Sequence, residues 1–102
     1  MKILAFADSH GYSMGMAYAV EQEKPDAVLH LGDHTDDAHD LGRAFPGLAI
    51  ISVRGNNDYG ADEPLSCVTV LGGVRIYLTH GHREHVYSTC DLVAQRAREE
   101  GC

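Results

Sequence analysis

Three short apolar runs, residues 2–7 (KILAFA), 27–31 (AVLHL) and 48–54 (LAIISVR), are spaced so that helix-length segments lie between them. Each run is continuous rather than alternating, which is the mark of strands covered on both faces in a parallel sheet. In the first gap, residues 13–23 carry Met16, Ala17 and Val20 at helical spacing, and Lys24-Pro25-Asp26 stops the pattern. In the second, residues 36–45 fit a shorter helix ending before Pro46. The alternation predicts an α/β fold with right-handed parallel connections. With 102 residues and neither a repeat nor a linker, residues 1–102 read as a single domain.

The second half changes character. Residues 66–71 (SCVTVL) and 74–79 (VRIYLT) flank Gly72-Gly73, the signature of a two-residue hairpin. Ser88 followed by Asp91 predicts an N-cap and capping box for a last helix. Leu92, Val93 and Ala97 give that helix an apolar stripe, and Gly101 marks its end.

Eight basic against fifteen acidic residues give a net charge of −7. Such a surface disfavours non-specific nucleic-acid or anionic-membrane binding, which needs lysine and arginine. It remains compatible with a phosphate-bearing substrate where metal ions supply the positive charge. No apolar run approaches the roughly 20 residues that span a bilayer. The first apolar stretch is too short for a secretory signal, so a cytoplasmic location is expected. Cys67, Cys90 and Cys102 form no CxxC pair and read as two small core fillers and a terminal thiol. Met14 and Met16 read as helix packing. Seven histidines, however, are a surplus for so short a chain.

The polar residues concentrate where strands end. The first strand runs into Asp8-Ser9-His10-Gly11, the second into Gly32-Asp33-His34 and the third into Gly55-Asn56-Asn57-Asp58. The hairpin's second strand runs into His80-Gly81-His82. In open α/β sheets the carboxyl ends of strands form the ligand crevice. Asp8, His10, Asp33, Asn56 and His80 are therefore expected around one point, with Asp8 and His10 on the same side of an extended tip. Any one of these blocks alone is ordinary turn chemistry; four with matching donors point to a metal centre. Oxygen and imidazole donors without thiolate suit manganese, iron, zinc or nickel. A carboxylate shared by two such ions holds them ~3.5–4 Å apart, the spacing of two-metal phosphoester hydrolysis. Asp33, alone on its short loop, is the candidate bridge. His30, inside a strand, reads as a hydrogen-bonded sheet histidine. His34 and His39, beside Asp36, Asp37 and Asp40, read as a solvated face.

The ordered blocks D-S-H-G, G-D, G-N-x-D and T-H-G-H resemble those of the calcineurin-like metallophosphoesterases, the small bacterial and archaeal phosphodiesterase branch in particular. The resemblance covers essentially the whole chain. It implies a two-sheet α/β sandwich flanked by helices, with two divalent ions at its edge. By position, Asp8 and His10 would ligate the first ion, Asp33 would bridge both, and Asn56 and His80 would ligate the second. Asp33 and Asn56 would also serve catalysis, with Asp58 steadying the loop and His82 beside the site. The implied activity is hydrolysis of a small phosphoester, a phosphodiester by preference, through water ionised at the metals. Asn57 stands where many phosphatases of the superfamily carry a histidine. The family also continues into a further strand bearing a G-H-x-H block. None follows here, so a domain incomplete at its C-terminus is expected, with one ligand to each ion missing and an open sheet edge through which copies could associate. Two other readings stand beside catalysis: an inactive scaffold of the same fold, of which the eukaryotic retromer subunit is the known type, and a fragment without function.

Overall fold

The computed structural model describes residues Met1 to Cys102. At its centre lies β2 (Ala27–His30), all four residues of which are buried. It is flanked in parallel by β1 (Ile3–Phe6) and β3 (Ala49–Ser52), with Leu4 opposite Val28 and Val28 opposite Ile50. Helices α1 (Ser13–Glu23) and α2 (Thr35–Ala44) make the two crossovers. Both lie on one face of the sheet. Met16 and Val20 of α1 and Leu41 of α2 pack there on Val28, with Leu4, Phe6 and Ile50 around them. The apolar runs of the sequence are thus explained by strands covered on two sides.

Successive residues of a strand point to opposite faces, so Leu29 serves a second core. It packs with Val53 and Leu78, and with Ile3, Ile51, Cys67 and Ile76 beside them. This core lies under the antiparallel hairpin of β4 (Ser66–Leu71) and β5 (Val74–Thr79). Gly72 and Gly73, at φ +58° and +80°, close it as the two left-handed residues of a type I′ turn. The predicted two-sheet α/β sandwich is present.

The last helix, α3 (Asp91–Glu99), buries none of its residues. Leu92, Val93 and Ala97 are only half-buried. Its predicted start needs correction, because Ser88 does not cap it. Residues 85–89 form a turn of their own, with the Ser88 and Thr89 N–H groups donating to the His85 carbonyl. Thr89 Oγ1 instead accepts the Asp91 N–H at 3.2 Å. The end is as expected: Gly101 at φ +80° reverses the chain, and the Cys102 N–H returns to the Ala97 carbonyl at 2.8 Å.

Two smaller expectations also fail. Met14 is 81% exposed, while Met16 fills the core. Only Cys67 is part of a core, where burial pushes its thiol pKa up, and Cys90 lies exposed at the start of α3.

Candidate metal centre

Parallel pairing continues past the strands and brings their carboxyl ends together. The Leu31 N–H donates to the Phe6 carbonyl at 2.7 Å, Asp8 to Gly32 at 3.0 Å and Val53 to His30 at 3.0 Å. Beyond these bonds the loops tighten. Asp8, His10, Asp33 and His34 all hold left-handed backbone, at φ +56°, +49°, +60° and +83°. Such conformations cost non-glycine residues energy and persist where surrounding bonds enforce them. The tip after β1 is therefore coiled, not extended as the sequence suggested. Its two side chains still approach, with His10 Nε2 within ion-pair reach of Asp8 Oδ1.

Asp8, Asp33 and His80 offer donor atoms that all lie within 4.8 Å of one another. His80 Nε2 is 3.8 Å from Asp8 Oδ1 and 3.5 Å from Asp33 Oδ1. The other ring nitrogen, Nδ1, donates to the Leu31 carbonyl at 2.8 Å. That bond places the lone pair on Nε2, facing the carboxylates, as a metal-ligating histidine requires. No lysine or arginine pairs with Asp8 or Asp33. Two carboxylates, one oriented imidazole and no counter-charge form a donor set that fits a divalent cation.

Asp33 is the most constrained of the three. Its carboxylate accepts the Asn57 backbone N–H at 3.0 Å and the Asn57 side-chain amide at 2.8 Å. Burial acts to raise its pKa, but these bonds and nearby His80 outweigh it and hold the group below the ordinary carboxylate value. The room for Asp33 is made by Gly55, where a Cβ would fall 2.1 Å from Asp33 Oδ1. Gly32, at φ +103°, lies so close that a Cβ there would sit 2.5 Å from the Gly55 nitrogen.

Asp58 works from below. Its carboxylate accepts four backbone N–H groups: Asp33 at 2.7 Å, His34 at 2.5 Å, Thr35 at 3.0 Å and Gly55 at 2.7 Å. No side chain of α2's own N-cap binds its first turn. Asp58 caps it from another loop, fastening the β2 and β3 ends to one another. Burial pushes its pKa up, and the four donors outweigh that and bring it below the usual range.

The remaining predicted residues are distributed around this triad. Asn56 and His82 line a cleft of about 260 Å³ together with Asp8, Asp33 and His80. The His82 ring lies 5.5 Å from that of His80, and its Nδ1 is buried without a partner. His10 stands outside, largely exposed, with Nε2 3.9 Å from Asp8 Oδ1. His30 is fully buried. The Gly32 N–H donates to its Nδ1 at 3.3 Å, so Nε2 carries the proton toward Ser9 Oγ at 2.9 Å.

Sequence reasoning missed three residues. Asn57 registered only as the absence of a histidine, yet it grips Asp33. Asp37, read as part of a solvated face, is 2% exposed because it is turned inward, where it accepts the Gly11 N–H at 2.8 Å and faces His34 Nδ1 at 3.2 Å. His34 remains exposed, and His39 pairs closely with Glu63. Glu84 lies buried behind His80, with no sequence signal, since its cationic partner Arg96 is 12 residues away.

A layered α/β domain with carboxylates and an imidazole converging at its strand ends defines a metal-site fold. The chain belongs to the calcineurin-like phosphoesterase superfamily, whose domain model matches residues 1–101. It is 28% identical over 105 residues to a probable metallophosphoesterase of Mycoplasma genitalium, covering 100% of this chain and 61% of that protein. It is 29% identical over 104 residues to the probable metallophosphoesterase YsnB of Bacillus subtilis, covering 99% and 59%. The chain thus spans about three fifths of the length of these relatives. A crystal structure from Streptococcus pneumoniae, of a conserved uncharacterized protein described as a predicted phosphoesterase, superposes with a TM-score of 0.80 at 32% identity. That match covers 99% of this chain and 57% of the other. A Vps29 single mutant from Entamoeba histolytica shares the fold, with a TM-score of 0.76 at 21% identity over 99% of this chain and 59% of that one.

Proposed function

We propose that this chain forms the metal-binding core of a phosphoesterase that hydrolyses small phosphodiesters. The observation that supports it is the convergence of Asp8, Asp33 and the oriented Nε2 of His80. These three would hold one divalent cation. Asp33 would be shared with a second, with His10 on the Asp8 side and Asn56 on the His80 side. When bound, the cations, manganese by preference, would supply Lewis acidity to a phosphoryl oxygen and a water ionised at neutral pH. Asn57 and Asp58 fix the Asp33 loop so that the donors need no rearrangement. Asn56 and His82 offer an amide and an imidazole to the phosphoryl group from the cleft wall.

The preference for diesters rests on charge. The cleft residues include no lysine or arginine. A monoester dianion would bring a second negative charge beside Asp8 and Asp33 with nothing but metal to meet it, whereas a diester carries one. The test is hydrolysis of bis(p-nitrophenyl) phosphate and p-nitrophenyl phosphate at rising Mn²⁺, beside Asp33→Ala. Metal-dependent cleavage, faster for the diester and absent in the variant, supports the reading. Equal rates in both proteins sink it.

The exposed position of His10, outside the triad, favours a second reading as a non-catalytic binding module of the same fold. That reading expects thermal stability indifferent to Mn²⁺.

A further inference from the structure

Glu84 is 1% exposed and has no place in the cleft, yet its carboxylate is the centre of a bonded cluster. Thr79 Oγ1 donates to Oε1 at 2.9 Å, while the Tyr77 hydroxyl at 3.0 Å and Arg96 Nη1 at 2.9 Å donate to Oε2. Both oxygens are engaged within the cluster, away from the cleft. What the cluster encloses is the residue between Thr79 and Gly81.

On the near side of His80, Thr79 is held by its hydroxyl to Glu84. On the far side, the Gly81 N–H donates to the same Thr79 oxygen at 3.2 Å, and the Glu84 N–H returns to the Gly81 carbonyl at 3.2 Å. The turn folds tightly enough that a Cβ on Gly81, at φ +97°, would meet Val86 at 2.8 Å. Apart from this turn, the polar bond fixing the His80 ring is that of Nδ1 to the Leu31 carbonyl. Arg96 is the one cation in the cluster, and it comes from α3, which has no buried residue of its own. A buried carboxylate stripped of its cation turns toward water or loses its charge. The first outcome releases Thr79, and the second weakens the bond that holds it.

We infer that Glu84 is a positioning residue for His80, and that Arg96 sustains it by neutralising its charge, so that a residue of α3 sets the affinity of the metal centre. The inference rests on the proposed role of His80 as a ligand.

The test is Mn²⁺ binding, read as free Mn²⁺ by electron paramagnetic resonance, with the urea midpoint of each variant measured beside it. Thr79→Val cuts the bond to Glu84 and the one from the Gly81 N–H without touching the buried charge, and Arg96→Met removes the cation alone. Each is expected to weaken Mn²⁺ binding by about 10-fold or more while remaining folded, on the scale seen when supports of metal ligands are removed. Thr79→Ser and Arg96→Lys should restore most of the affinity. Arg75→Met is the control. It removes the other tether of α3, from the Arg75 guanidinium to the Glu100 carbonyl at 2.7 Å, and should leave affinity within about twofold of the unaltered protein's. An equal loss in Arg75→Met, or no rescue by Thr79→Ser, makes the effect general loosening and overturns the inference. Binding abolished by His80→Ala but unchanged in Thr79→Val and Arg96→Met overturns the inference while the ligand assignment stands. Binding that survives His80→Ala removes both.

Discussion

Asn57 holds both oxygens of the Asp33 carboxylate, one with its backbone N–H at 3.0 Å and the other with its side-chain amide at 2.8 Å. The two residues come from loops after different strands, so the pair locks the β2 end to the β3 end at the Asp33 carboxylate. Asn57→Ala keeps the backbone bond and loses the side-chain one. It should lower Mn²⁺ affinity about 10-fold with little change in unfolding midpoint, measured by calorimetric titration.

Gly55→Ala is a sharper test of the same contact. A Cβ 2.1 Å from Asp33 Oδ1 and 2.5 Å from the Asp33 nitrogen cannot be accommodated unless the carboxylate and its backbone both shift. The variant should lose Mn²⁺ binding, and a crystal structure should show Asp33 turned out of the triad. Normal affinity would mean that the Asp33 position is not required.

Removal of the Asp58 carboxylate leaves four N–H groups without their acceptor and α2 without its cap. Loss of an N-cap alone costs about 1–2 kcal/mol, and the part-buried donors left unsatisfied add to it. Asp58→Ala is expected to destabilise by roughly 2–4 kcal/mol in urea, with Asp58→Asn between it and the unaltered protein.

Metal should stabilise the fold by mass action. At a free Mn²⁺ concentration 100 times the dissociation constant, the gain is about 2.7 kcal/mol, or roughly 10–20 °C in Tm for a domain of this size. Asp33→Ala should show no such shift. A shift of equal size in the variant would place the stabilising ion elsewhere.

Acid should weaken the protein in two windows. Burial holds the pKa of His30 below 6.5 against the pull of Asp37, Asp58 and Asp8. The unfolded chain therefore takes up a proton that the native ring refuses, and stability falls as pH drops from about 6.5 through the depressed native value. Glu84 adds a second window, shared with Asp33 and Asp58. Burial alone would raise its pKa, but bonds from Thr79, Tyr77 and Arg96 hold it below the ordinary value. Its contribution is complete above about pH 4.3 and lost as pH falls through the native pKa. Urea midpoints between pH 7.5 and 3.5 should show both declines, and His30→Gln should flatten the first alone.

These residues also mark what the sequence could and could not reveal. The strands, the hairpin and α1 are legible because each is a local pattern: an apolar run, a Gly-Gly turn, a helical spacing stopped by Pro25. The first residue of α2 is not, since its cap, Asp58, lies 23 residues beyond Thr35. Asp8, Asp33 and His80 are legible as donors because they follow strands. Their conformations are not: left-handed backbone at Asp8 goes with its N–H bond to Gly32 in another loop, a partner that the local sequence does not name. Glu84 and Asp37 belong to the same class. A carboxylate in an acidic, polar chain gives no sign that it will be turned inward until the partner supplied by the fold is known.

The left-handed backbone at Asp8, His10, Asp33 and His34 has an evolutionary and practical consequence. At each of these positions glycine would relieve strain that the present side chain imposes. A library screened for heat resistance alone should enrich glycine there, and His34→Gly and His10→Gly should emerge as stabilised proteins. At Asp8 and His10 the same screen would remove a proposed metal donor. Stability and metal affinity pull in opposite directions at Asp8 and His10, so a useful variant must gain its stability elsewhere.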